Sequence, residues 1–121
     1  LESVKSNLTK GDINIVLGSS SFSLKGNFSY IENNVLHYNF EFKSAKDFSA
    51  GNGFARFTYA NKKIDPMVNN NSMMNAGIVI YNGSETHLAY FKNIDNTSWL
   101  CNSVKIPTDS EIYVIGSFVC N

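Results

Sequence analysis

The amino-acid sequence predicts an all-β domain, an antiparallel β-sandwich or jelly roll, and three observations carry that expectation. Beyond residue 11 no stretch keeps the 3.6-residue apolar period of an amphipathic helix over a useful length. Short β-branched and aromatic runs alternate instead with clusters of Gly, Asn, Asp and Ser, the spacing of strands joined by tight turns. Within residues 35–42, Leu36, Tyr38, Phe40 and Phe42 take one face of an extended chain while His37, Asn39 and Glu41 take the other. A period of two with four large apolar side chains on one side means that one face buries a core. At 121 residues and 13.5 kDa the chain suits one domain with a core of its own.

Taken in order, Leu1, Val4 and Leu8 follow 3-4 spacing, the pattern of a heptad seam at its last turn. Residues 1–10 are therefore read as the end of a stem or a linker, with a short coiled-coil end as one form of it, and residues 11–121 as a single sandwich domain. Gly11 would stop a helix there. Residues 13–17, 22–24 and 28–31 are the first strands, with Lys25-Gly26-Asn27 expected to turn between the second and third. Asn33-Asn34 suits a hairpin turn because Asn tolerates positive φ. After the 35–42 strand, residues 44–53 are expected to be a loop or one helical turn. Residues 54–60 form the next strand, and 61–75 a long Asn- and Met-rich connection of the kind that is functional or mobile. The apolar run 77–81 is a central strand, and Asn82-Gly83 is the strongest hairpin signal, leading into 87–91. Residues 97–100, 104–106 and 112–119 complete the set. The last strand ends two residues before the final residue, the arrangement expected of a domain that closes a larger protein.

Charge excludes some partners. Ten Lys and Arg balance ten Asp and Glu, so the chain lacks the basic excess that phosphate backbones reward, and nucleic acid is not expected. No apolar run approaches a membrane span, so membrane insertion is not expected either. Polarity rests on 17 Asn and 15 Ser. The acidic residues are scattered among predicted turns, and no nucleophile elbow, zinc-protease helix or phosphate-cradling glycine loop is present. The sequence therefore predicts no enzyme, with no catalytic residues, no cofactor and no metal. His37 and His87 lack the neighbouring Cys or His that ligand spacing requires. Cys101 and Cys120 could close a loop with a bridge contributing roughly 3 kcal/mol, or stay buried as free thiols; a non-secreted chain favours the thiols.

One constellation suits a neutral ligand. Trp99, the single tryptophan, follows Asp95 and Asn96, with Tyr90 and His87 on the flanking hairpin. An aromatic face that stacks on a sugar ring, bordered by amides and carboxylates that read hydroxyls, is a saccharide platform. The competing reading makes Trp99 half-buried core, as tryptophans generally are. Strand alternation alone gives it either face.

The run from Leu100 to Phe118 contains a short strand, Val104-Lys105-Ile106-Pro107, the turn Thr108-Asp109-Ser110 and a closing strand with Gly116 in its middle. This segment, behind a stem-like end, resembles the C-terminal head or tip domains of receptor-binding tail-fibre and baseplate proteins of phages infecting Gram-positive bacteria. The resemblance covers about a sixth of the chain. It implies a homotrimeric, jelly-roll-like domain at the tip of a virion that binds host cell-surface saccharide or teichoic acid without catalysis. It transfers no site motif, so Trp99, Tyr90, His87, Asp95 and Asn96 stand on the physical argument above. The alternative is a carbohydrate-binding or adhesin module of a secreted or surface-bound bacterial protein. A fibre cap that binds nothing and a glycan-cleaving enzyme are the remaining readings.

Overall fold

The computed structural model of the chain describes residues 13–67 and 77–120, the backbone alone for 77–81. The stem-like stripe at Leu1, Val4 and Leu8 and most of the 61–75 connection lie outside the described residues. Ten strands and no helix occur among the described residues. They are β1 (Asn14–Leu17), β2 (Phe22–Asn27), β3 (Tyr30–Glu32), β4 (Val35–Ser44), β5 (Gly53–Tyr59), β6 (Lys62–Ile64), β7 (Gly77–Tyr81), β8 (Glu85–Ile94), β9 (Thr97–Asn102) and β10 (Glu111–Val119).

Every pairing is antiparallel, along one path β1-β5-β9-β8-β7-β10-β4-β2, with β3 beside β4 and β6 beside β5. The path folds back over β7 and β8, so that β5, β8 and β9 face β4 and β10. The result is the β-sandwich that the alternating patterns predict. The jelly-roll version of that expectation is not established by this strand order. At the free edges, the Asn27 side-chain amide donates to the Ile13 carbonyl at 2.7 Å, tying the end of β2 to the start of β1.

Aromatic rings fill the space between the layers. Leu36, Tyr38, Phe40 and Phe42 on β4 are all buried, as their period of two requires. Phe57 on β5 meets Tyr38 at 5.1 Å, Phe40 at 5.9 Å and Phe118 at 6.0 Å between ring centroids. Phe91 on β8 meets Phe118 at 5.1 Å, edge to face. Such pairs contribute about 0.5–1.5 kcal/mol each beyond their area burial. The mid-strand glycine of β10 has a packing reason. Gly116 is the register partner of Tyr38, and a Cβ there would collide with the Tyr38 ring and hydroxyl.

Several boundaries differ from the sequence expectation. Lys25-Gly26-Asn27 does not turn; β2 runs through it, with a bulge between Leu24 and Gly26. A bulge twists an edge strand and blunts its pairing with other chains. Residues 44–53 hold no helical turn and 104–106 no strand. The two segments meet in a single bridge between Phe48 and Ile106. Residues 62–64, expected within a long connection, form β6 after a two-residue turn at Ala60 and Asn61, both at positive φ. The turns at Asn33-Asn34 and Asn82-Gly83 have the positive φ values their residue types suggested.

The joined loops are clamped by Asp47. Its Oδ1 accepts from the Thr108 backbone N–H at 2.8 Å and from the Thr108 hydroxyl at 2.9 Å, and Lys105 Nζ lies 3.7 Å from Oδ2. These Thr108 hydrogen bonds, and then the Lys105 charge, hold the Asp47 carboxyl below its usual value. A folded pKa below the unfolded one contributes stability above the unfolded pKa that disappears as pH falls through the folded value. Protection of the Thr108 amide, corrected for the intrinsic pH dependence of exchange, is therefore expected to fall on acidification through that window, in step with the Asp47 carboxyl chemical shift. An ordinary Asp47 titration by NMR would contradict the clamp.

Candidate functional site

The site is built on the β8–β9 hairpin and the adjoining end of β5. In β9, Ser98 and Leu100 are buried, and Trp99 between them projects to the outer side of the sheet, opposite Lys92 of β8. Trp99 is half-buried and is absent from the aromatic core. Its position follows from a fork in the sheet. The first residues of β5 pair with β9, at Gly53 with Cys101 and Ala55 with Leu100. From Phe57 onward, β6 takes the place of β9 along β5. Trp99 and Arg56 stand on either side of this fork.

Gly53 makes room for the indole. A Cβ on Gly53 would lie 2.6 Å from Trp99 Cβ and 2.8 Å from Cγ, so any side chain there would push the indole off β5. The Arg56 guanidinium then lies over the ring, 5.5 Å from its centroid. A cation over an indole gains about 0.5–1 kcal/mol at an exposed site. The ring is thus held by a glycine and a cation, and the patch it forms is aromatic and cationic. Arg56 and Lys92 project on the same outer side, with Val16 and Trp99 as their register partners.

Tyr90 joins this patch. It is half-buried on the outer side of β8, partnered in register with Cys101, and its hydroxyl reaches the Gly51 turn, 3.7 Å from where a Cβ would stand. Leaning across β9, it covers Cys101, which is buried although it lies on the outer side. Burial pushes the Cys101 thiol up to about 11, so it stays protonated at neutral pH. Cys120 is also buried, and the two cysteines form no disulfide.

The other three expected residues fall differently. Asp95 and Asn96 are the two turn residues of the β8–β9 hairpin, at φ 51° and 64°. Their residue types are what a turn with positive φ at both positions selects, so backbone geometry accounts for them without a ligand. Both side chains are exposed at the hairpin tip, and Lys63 Nζ donates to the Asn96 carbonyl at 2.6 Å, fastening the tip to β6. His87 does not join the patch. It shares a register row with Val79 and buried Val114, on the opposite side of β8 from Tyr90, and its Nε2 lies 3.2 Å from Glu85 Oε1. The structure thus brings Trp99 and Tyr90 together, sets Asp95 and Asn96 at the tip beside them and turns His87 away.

Sequence reasoning did not single out Arg56, Lys92 or Gly53. Arg56 had the outward parity of its strand, and a glycine at a strand's start often marks close approach of another group. Both signals were legible, but neither said that the neighbour would be Trp99.

Among the described residues no cluster of three His, Cys, Asp or Glu could hold a metal ion, and no helix is long and apolar enough to cross a membrane. The site and the sandwich together define an all-β domain with a partly exposed aromatic–cationic patch on the β8–β9 hairpin and the adjoining β5. Comparison with protein families, with curated proteins and with solved structures gives no match for this chain.

Proposed function

We propose that this domain is a non-catalytic receptor-binding head that recognises a cell-surface saccharide through the outer face of the β8–β9 hairpin. In this reading it works as a homotrimer at the tip of a phage tail. The observation that supports it is Trp99: the indole is outside the core, seated on Gly53 and held under Arg56. A sugar ring with C–H groups on one face would use such an indole by displacing the Arg56 guanidinium from over it, leaving that cation free to meet an anionic group of the ligand. Tyr90 extends the apolar floor.

Arg56 and Lys92 favour an anionic glycan over a neutral one. Phosphates of a teichoic acid, spaced along a polyol chain, suit two cations flanking an aromatic ring. Each neutral hydrogen bond to a hydroxyl adds about 0.5–1.5 kcal/mol net. By analogy with aromatic pairs, stacking adds on the order of 1 kcal/mol. One site is therefore weak, and several copies on one particle would raise avidity through effective concentration.

The test uses Trp99→Ala in the full chain. Adsorption to Gram-positive cells or purified teichoic acid is expected to be lost. The melt should shift far less than the roughly 3–5 kcal/mol that emptying a core site costs. Binding by the wild type should also weaken as salt rises, because exposed charge pairs are screened. Undiminished adsorption by Trp99→Ala overturns the proposal.

A further inference from the structure

The seat of Trp99 is shaped by an irregularity in β5. The register steps from Gly53 opposite Cys101 to Ala55 opposite Leu100, so Phe54 is an extra residue on that strand. A bulge of this kind bends its strand and re-aims the groups beside it. Here it lies next to Trp99, and the Phe54 ring anchors it from within, buried and stacked on Phe42 at 5.7 Å. Gly53, at the start of the bulge, turns its missing side chain to the indole: the Cβ position lies 2.9 Å from Trp99 Cδ2, besides its approach to Cβ and Cγ.

The other side of Gly53 is closed by Gly18, the residue that follows β1. A Cβ on Gly18 would overlap the Gly53 carbonyl oxygen and stand 3.1 Å from its carbon and 3.2 Å from Phe54 Cα. All three are backbone atoms, which cannot rotate aside. Gly18 does not have positive φ, so backbone conformation does not call for a glycine there. It is exposed, so core packing does not call for one either. Its own retreat is restricted, because its N–H donates to the Phe54 carbonyl at 2.8 Å and Leu17 before it is the register partner of Ala55. The turn after it is tied as well, with the Phe22 N–H on the Ser19 carbonyl at 3.1 Å and the Ala45 N–H on the Ser21 carbonyl at 2.9 Å.

In the sheet β5 lies between β1 and β9, so Gly18 and Trp99 press on Gly53 from opposite strands. We infer that Gly18 is a positioning residue for Trp99, which leaves room for the Gly53 carbonyl and so lets the indole lie against β5 beneath Arg56. Gly18 does this without touching a ligand. The inference deepens the proposed function and rests on that reading for Trp99 as the ligand contact. A methyl group at position 18 pushes Gly53 toward β9 and lifts the indole from its seat. Binding groups need to be held within about 0.5 Å of their productive geometry by the residues behind them, so a displacement of this kind weakens the site from a distance.

The experiment reads Trp99 directly, because it is the single tryptophan of the chain. Gly18→Ala in the full chain should shift the native emission of Trp99 and change its quenching by acrylamide. Gly116→Ala, whose methyl group meets Tyr38 in the core, is the control: it should lower stability while the folded protein keeps the wild-type emission. In urea unfolding followed by far-ultraviolet circular dichroism, Gly18→Ala should cost clearly less in a Trp99→Ala background, because no indole then blocks Gly53. Should Gly18→Ala alone fail to fold, Trp99→Ala in the same chain should restore folding. Adsorption to purified teichoic acid should weaken severalfold in Gly18→Ala. The inference is overturned by unchanged native emission and quenching in Gly18→Ala, by equal costs in both backgrounds, or by an unfolded Gly18→Ala that Trp99→Ala does not rescue. Adsorption lost in Trp99→Ala but undiminished in Gly18→Ala also overturns it. The fluorescence and unfolding readings need no ligand, so their failure is distinct from that of the saccharide reading, which adsorption of Trp99→Ala decides.

Discussion

Phe57→Ala is expected to lower the unfolding free energy by about 3–5 kcal/mol, the range for removing a large aromatic from a packed interior. The size follows from where Phe57 stands. It is 1% exposed, and its ring meets Tyr38, Phe40, Phe91 and Phe118, drawn from β4, β8 and β10. The neighbours are themselves rings held by strand pairing, so they cannot collapse into the space left behind. Against a typical total of about 5–15 kcal/mol, the change would remove a large share of the stability. Urea unfolding followed by fluorescence and by far-ultraviolet circular dichroism measures it. A loss below about 1 kcal/mol, within the range of surface substitutions and small deletions, would mean that Phe57 does not join the two layers as described.

Gly116→Ala should be strongly destabilising for a single added methyl group. A Cβ at Gly116 would overlap the Tyr38 ring, and Tyr38 is 1% exposed among Phe57, Phe91 and Phe118. Gly116 does not have positive φ, so an alanine backbone fits and the cost is purely steric. Forcing an extra methyl into a filled interior costs about 1–3 kcal/mol, and more where the neighbour cannot move. A double-mutant cycle isolates the cause. In a Tyr38→Leu background the ring is gone, and Gly116→Ala should then cost little. Equal costs in both backgrounds would show that the methyl group is harmful for another reason.

The parts of the fold legible in the sequence were those where local pattern and burial agree. The β4 row of Leu36, Tyr38, Phe40 and Phe42 declares its face outright, and asparagines or an Asn-Gly pair mark turns with positive φ. β6 was hidden because its turn is Ala60-Asn61, and alanine seldom adopts positive φ. The strand through Gly26 was hidden because a glycine between Lys and Asn reads as a turn, whereas here it follows a bulge.

The site was legible only in its aromatic members. In β9 the inward positions are Ser98, Leu100 and Asn102 and the outward ones Trp99 and Cys101, so polarity in this strand runs against burial. Ser98 is buried with its N–H on Asp65, and Asn102 is buried with its side chain on the Val104 carbonyl. Those long-range and loop contacts reverse the usual rule, which is why alternation could not assign a face to Trp99. The same parity argument separates His87 from Tyr90, because three positions along a strand change sides. Asp95 and Asn96 have the chemistry of ligand contacts, but the tight turn already requires their kind.

The pairing of β4 with β10 has a consequence for how the chain is made. β4 is complete within the first half of synthesis, yet its longest partner is the last strand to be translated. Until then the β4 edge that β10 will occupy stays unpaired, although β2 and β3 alongside and β5, β8 and β9 of the opposite layer are already made. A nascent chain stalled before β10 would present that open edge to chaperones and to its neighbours on the same messenger. Long-range strand pairing of this kind folds slowly and is exposed to aggregation. The hazard is greatest when many ribosomes translate closely spaced copies, so codon usage and ribosome spacing become part of what determines the yield of folded domain.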